Sequence, residues 1–213
     1  MGAIGRKAGW SFMATAAMLT TILVSRYLTR NPEVYFPQQK ETYVAHPAGI
    51  LIHVLGGMTA LSLGAFQFNE RLRKKRPQLH RWMGGTYIAG CMAGGLGGLY
   101  MAQFAHGGFP ASVGFGMLGV VWLTCTAMAL QRILARDIPA HREWMIRSYV
   151  LTLAAFTLRV WLPIHGVLSG AGLTDLPFTQ MYIAVAWLCW VPNLIVGEIY
   201  INLSRKSAVR VTA

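Results

Sequence analysis

Six stretches of this chain stay apolar for about 20 residues at a time: 8–24, 48–68, 83–104, 113–133, 145–164 and 180–203. At about 1.5 Å per residue, a helix of that length crosses the roughly 30 Å of a bilayer's hydrocarbon. Backbone in lipid must satisfy its own hydrogen bonds, so each run reads as a helix. The expected fold is therefore an all-α, polytopic membrane bundle, a single membrane domain over residues 1–213 with six transmembrane helices.

Composition supports this reading: 54% of residues are hydrophobic and only 12% charged, too apolar for a soluble enzyme or a disordered chain. The net charge of +12 falls in the connecting segments. It points to anionic lipid at a membrane face, not to nucleic acid. With both termini placed in the cytoplasm, fifteen basic residues lie inside: Arg6, Lys7, Arg71, Arg73, Lys74, Lys75, Arg76, Arg81, Arg132, Arg136, Arg142, Arg147, Arg205, Lys206 and Arg210. Only Arg26, Arg30 and Lys40 lie outside. That bias predicts cytoplasmic termini and a bacterial inner membrane location. Arg6-Lys7 before an apolar run is the start of a secretory signal as well, but no small-x-small cleavage pattern precedes Arg26, so the first helix is expected to be retained.

Prolines 32, 37, 47, 77, 110, 139 and 177 mark the connections, whereas Pro192-Asn193 lies within a span and predicts a bend. Cys91, Cys125 and Cys189 fall in different spans without CxxC spacing, as packing residues would. Glycine is concentrated in the second and third spans (HVLGGMTALSLGAF and GGTYIAGCMAGGLGG), which predicts close packing against each other or the fifth.

Polar residues inside the spans are the candidates for function. His53, Gly57, Ala60, Gly64 and Gln67 share one helical face, and His141, Ser148, Thr152 and Arg159 share another. An arginine at membrane depth, such as Arg159, costs at least about 2.5–3.5 kcal/mol unless it meets protein, water or an anion. The other reading of Arg159 is a side chain reaching the outer headgroups. Glu198 is poorly placed for Arg159 and better placed for Arg142, Arg147 or His141.

HRWMGGTY at His80 is echoed by HREWMIRSY at His141, and each is followed, 26 or 24 residues on, by a histidine-glycine pair, His106-Gly107 and His165-Gly166. Read as parallel repeats, the echo sets His80 opposite His141 inside and His106 opposite His165 outside. Neutral imidazole is the usual axial ligand of b-type haem, and facing helices can hold one iron between two histidines. The metal ligands expected on this reading are His80, His141 and His53. His53 would complete an outer site with His106 or His165, and Arg147 or Arg159 would hold a propionate or polarise a quinone carbonyl. The structural alternative is that the His-Arg pairs, with Trp82 and Trp144, anchor the helix starts at the lipid headgroups.

HREWMIRSYVLTLAAFTLR, together with HVLGGMTALSLGAFQF, HRWMGGTY and HGGF, resembles a bacterial family known only as predicted multi-pass membrane proteins of unknown function. The layout is also distantly similar to di-haem cytochrome b transmembrane reductases. In those, four successive helices carry ligands, whereas the fourth span here, VGFGMLGVVWLTCTAMALQRI, has no histidine.

Three function classes follow. The first is transmembrane electron transfer with haem b or a quinone. The second is a carrier or sensor for a lipid or small anionic solute. The third is a non-catalytic subunit, or homo-oligomer, that packs through glycine-rich faces. No sequence feature marks the chain as an enzyme: it has no phosphate-binding glycine loop, HExxH or Ser-His-Asp arrangement.

Overall fold

A computed structural model describes the backbone of residues 3–212, and every regular element in it is helical. The side chains of Arg6, Lys7 and Arg210, three of the charges assigned to the inner face, lie outside the described residues. The long elements are α1 (Ala3–Ser25), α3 (Pro47–Gln67), α5 (Pro77–Ala102), α6 (Phe109–Leu134), α7 (Ile138–Thr152), α8 (Ala154–Gly170), α9 (Phe178–Leu188) and α10 (Val191–Thr212). Two short helices, α2 (Lys40–Ala45) and α4 (Glu70–Lys75), lie in connections.

Five helical stretches reach the length and apolarity of a membrane span: Ala8–Thr29, Pro47–Gln67, Phe109–Leu134, Ile138–Gly170 and Phe178–Lys206. The expected third span is the exception. α5 is long enough, but its seven glycines dilute its apolarity. It is nonetheless central, packing on both α3 and α6, and its pairing with α3 is the most extensive in the molecule. The glycines explain why. A Cβ on Gly94 would stand 2.8 Å from the Gly57 amide nitrogen, and one on Gly97 would stand 2.7 Å from that of His53. Backbones this close exclude any side chain.

α7 packs on α6, α1 on α3, α9 on α6, and α10 on α7. Prolines open the helices, as expected of a residue without an amide donor: Pro47, Pro77, Pro110 and Pro139 sit in the first turns of α3, α5, α6 and α7. Asn69 and Asp137 cap α4 and α7 through their side-chain oxygens. Gly107 and Gly108, at φ 92° and 68°, make the left-handed turn into α6 and account for the glycines of the HGGF run.

The expected fifth span, 145–164, is not one uninterrupted helix. It belongs to a rod over Ile138–Gly170 that breaks at Leu153, where the Phe156 amide turns back to the Leu153 carbonyl at 3.0 Å. The bend expected at Pro192 lies between Leu188 and Val191. Asn193 supports it, its Nδ2 donating to the carbonyls of Cys189 (3.0 Å) and Val150 (3.2 Å) and to Thr157 Oγ1 (3.0 Å).

The four central helices α3, α5, α6 and α7 enclose a polar knot. Tyr87 Oη and Thr126 Oγ1 each lie 2.7 Å from Ser148 Oγ, and Trp122 Nε1 donates to Thr152 Oγ1 at 3.0 Å. Tyr149 Oη donates to the Leu61 carbonyl at 3.1 Å. All of these side chains are buried and partnered, as apolar surroundings demand. Cys91, Cys125 and Cys189 are buried free thiols.

One end of the bundle carries the basic connections. At the other, the segment from Arg26 to His46 forms three tight turns and α2 and folds over the helix ends as a lid. Tyr35 and Gln39 of the lid are buried. With its amide turned to satisfy both ends, Gln39 donates to the Phe104 carbonyl (3.2 Å) and accepts from the His106 amide (2.9 Å).

Candidate functional site

At the basic end, α3 and α6 finish while α5 and α7 begin, which brings Gln67, Arg132, His80 and His141 to one level. Helices α5 and α7 run parallel, joined through the antiparallel α6, and the Tyr87–Ser148 contact fixes their relative depth. His80 precedes Tyr87 by seven residues, and His141 precedes Ser148 by seven. Seven residues are nearly two full turns, so each histidine lies on the same face as its partner in that contact, one helix opposite the other. The two imidazoles are within electrostatic reach of each other. The echo in the sequence therefore has a physical counterpart: its two tyrosines, Tyr87 and Tyr149, stand 6.4 Å apart, ring to ring.

The His141 ring is oriented by its neighbour helix, with Nδ1 2.8 Å from the Ala129 carbonyl. A carbonyl only accepts, so Nδ1 carries a proton, and in the neutral ring Nε2 is the nitrogen that would be left for a metal. His80 is different. Its Nδ1 is buried without a partner, and so are Gln67 Nε2 and Arg132 Nε; among the described residues these are the only such side-chain nitrogens. All three belong to this end of the four central helices. Burial, with the charges of Arg73, His141 and Arg81, holds the His80 imidazole below its ordinary pKa and so favours its neutral form. The Gln67 carboxamide lies against Gly84, where a Cβ would come within 3.2 Å of Oε1. Gly84 is one turn from His80.

Arg147, expected to face a propionate or quinone, is engaged elsewhere. Its Nε and Nη2 hold the two carboxylate oxygens of Glu198 at 2.6 and 3.0 Å, and its guanidinium lies 4.6 Å over the Trp144 ring. A fork-to-fork pair of this kind leaves little of the guanidinium for a ligand. Arg205 makes a second such pair with Glu143. Trp144 is half-buried against the core and the Arg147 guanidinium, whereas Trp82 is 72% exposed, as an interfacial anchor would be.

The outer histidines divide into two groups. His106 Nε2 lies 3.0 Å from Thr179 Oγ1 and His165 Nε2 lies 2.9 Å from the Leu176 carbonyl, and both rings contact Phe178. Both lie against Phe178 at the start of α9. His53 is apart from them: its Nδ1 donates to the Gly94 carbonyl at 2.8 Å, and among the described residues no hydrogen bond or ring contact joins it to either. No three of His, Cys, Asp and Glu gather as a metal site among the described residues.

Two concavities lie on outer faces of the bundle. One, of about 550 Å³, runs between α3 and α5 beside His46, Ile52, Leu96 and Tyr100; the other, of about 360 Å³, lies between α1 and Phe66. His46, given no role from sequence, stacks on Phe104 at 4.0 Å and bonds Tyr100 Oη at 2.8 Å. The sequence marks Arg132 only as a charge in a basic connection, and Tyr27, Tyr35, Tyr43 and Tyr182 only as residues suited to a membrane interface, because the meeting of the lid tyrosines depends on how residues 26–46 fold.

The search of curated proteins finds no match. No solved structure matches either, so the likeness to di-haem cytochromes b finds no support there. Residues 50–201 do match a family model described as "Predicted membrane protein (DUF2306)". That stretch spans α3 to α10, and the chain belongs to this family of predicted membrane proteins.

Proposed function

We propose that this membrane protein binds a b-type haem at its basic end between His80 and His141 and serves electron transfer in the membrane. The single observation that carries the reading is the pair of equal seven-residue offsets, His80 to Tyr87 and His141 to Ser148, across the Tyr87–Ser148 contact. Two features support it. The Nδ1 of His141 is taken up by the Ala129 carbonyl, which leaves Nε2 as the nitrogen for an axial ligand. His80 is held neutral, as a ligand must be. Haem iron takes two protein ligands, which two opposed helices can supply. Arg132, whose Nε lacks an acceptor, is the candidate for a propionate in place of Arg147. In this proposal α5 is a sixth span, the basic end faces the cytoplasm, and the membrane is the bacterial inner membrane, in keeping with the positive-inside bias.

The accessory-subunit reading draws less support, since the glycine-rich faces of α3 and α5 are occupied by each other. The test is a reduced-minus-oxidised spectrum of protein purified from cells supplied with haem precursor. The expected result is Soret and alpha bands that disappear in His80→Ala and His141→Ala and persist in His46→Ala. A folded wild-type protein without those bands, or bands unchanged in both variants, rejects the proposal.

A further inference from the structure

We infer that the groove between α3 and α5 at the lid end of the bundle binds a membrane quinone, a neutral planar ring with two carbonyl oxygens on an apolar tail, through His46 and Tyr100. The choice of a redox-active head rests on the electron-transfer reading above; the shape, depth and neutrality of the groove do not.

The groove begins where α3 begins. His46 immediately precedes Pro47, the first residue of that helix and of its membrane span, and Tyr100 lies near the end of α5. From His46 the groove runs to Ile52 on α3, and from Tyr100 it runs back to Ala93 on α5. Six residues on one helix and seven on the other, at about 1.5 Å each, make it about 10 Å long and direct it from the membrane boundary into the hydrocarbon. Its volume of about 550 Å³ is that of a small-molecule site. Ile52, Ala93 and Leu96 are exposed on the outer face of the bundle, so the groove opens sideways to lipid.

The mouth of the groove is polar, and its rings hold one another in place. His46 stacks on Phe104 with ring centroids 4.0 Å apart, and its Nδ1 lies 2.8 Å from Tyr100 Oη. Tyr100 meets both rings edge-on, at 5.6 and 5.5 Å. Its own ring lies across Gly49, where a Cβ would stand 2.5 Å from Cδ1. Among the described residues His46 Nε2 makes no hydrogen bond, so it is the ring nitrogen offered to a ligand.

The bond to Tyr100 can run in either direction. When Tyr100 Oη donates to Nδ1, Nε2 carries the proton and donates to a carbonyl; when Nδ1 donates to Tyr100 Oη, Nε2 accepts from a hydroxyl. A quinone presents the carbonyl and its quinol the hydroxyl, so one pair of side chains recognises both forms of the same head.

Charge narrows the occupant further. No lysine, arginine, aspartate or glutamate lines the groove among the described residues. The cation that the sequence places at membrane depth, Arg159, is not in the lining, and its Nη1 donates to the Ala155 carbonyl of its own helix at 2.7 Å. A phospholipid's phosphate would find no cation here, whereas a neutral ring needs only the hydrogen bonds that His46 and Tyr100 supply.

Thermal unfolding of the purified full-length protein in a neutral detergent is followed with decylubiquinone, with decylbenzene, which keeps a ring and tail without the oxygens, and with phosphatidylcholine. Decylubiquinone is expected to raise the midpoint, and the other two are not. The half-saturating concentration should rise about fivefold in His46→Ala and about threefold in Tyr100→Phe, as for loss of hydrogen bonds. Ala93→Leu, at an exposed position in the groove, should abolish the response by filling the space, and Thr15→Leu, in the concavity beside α1, should leave it unchanged. Because His46→Ala is expected to keep the Soret and alpha bands, the two readings fail separately. Stabilisation without bands rejects the haem alone, and bands without stabilisation reject the quinone site alone. The proposal is overturned if decylubiquinone fails to stabilise the wild type, if decylbenzene or phosphatidylcholine stabilises it equally, or if the response is the same in every folded His46, Tyr100 and Ala93 variant.

Discussion

Gly94→Ala and Gly85→Ala add the same methyl group to the same helix and should have opposite consequences. On Gly94 the new Cβ would lie 2.8 Å from the Gly57 nitrogen, 3.0 Å from the Gly56 carbonyl carbon and 3.3 Å from the Gly56 Cα. All three are backbone atoms of α3. Ordinary contact begins at 3.4 Å, so α3 and α5 must separate by about 0.6 Å along their tightest seam. Overpacking of this kind costs about 1–3 kcal/mol. On Gly85 nothing lies within 4 Å. Both substitutions gain about 0.8–1 kcal/mol of helix propensity, which cancels when the two variants are compared. Packing alone then remains, about 1–3 kcal/mol, or a midpoint about 2–12 °C lower for Gly94→Ala in a chain of this size. The assay is thermal unfolding of both proteins in one detergent, followed by tryptophan fluorescence. Midpoints within about 1 °C of each other would refute the close approach of α3 and α5 and the glycine argument with it.

Tyr87→Phe removes one hydroxyl from a buried, fully partnered knot and leaves Ser148 short of a bond; a loss of about 1–3 kcal/mol is expected in the same assay, against little change for an exposed tyrosine such as Tyr200. Asn193→Ala strips a donor from the Cys189 and Val150 carbonyls where the last rod breaks, and should destabilise by about 1–3 kcal/mol, whereas exposed Asn202→Ala should not. Glu198→Gln removes the fork-to-fork carboxylate from Arg147 and leaves it only the longer Glu143 contact at 3.9 Å. Because Glu198 is 41% exposed, the expected loss is only about 1 kcal/mol, measured as a lower unfolding midpoint at low salt. The native thiols are buried, so maleimide should label the wild type only after unfolding. Against that silent background a cysteine at Lys75 should react from the cytoplasmic side and one at Asp175 from the opposite side, and labelling of both from one side would reject the proposed topology.

The sequence alone determined that the chain is a bundle of membrane helices and roughly where each begins. The requirement that acts there is local: a run of about 20 apolar residues must bond its own backbone, and proline must sit at a helix start. Periodicity also identified the inward face that carries His53 and Gln67 and the seam through Ser148 and Thr152, because helical rotation is fixed at about 100° per residue. Tertiary structure decided which of those faces meet. Whether Arg147 would bind a cofactor or a neighbouring acid depended on the approach of α10, which delivers Glu198. The grouping of His106 with His165 around Phe178, while His53 turns to the Gly94 carbonyl, depended on α9 and on the α3–α5 seam. Likewise the break at Leu153 has no proline to announce it. Such pairings are set by the relative rotation and depth of helices distant in sequence, and those follow from contacts such as Gly56 on Gly94 that act only once the helices have come together.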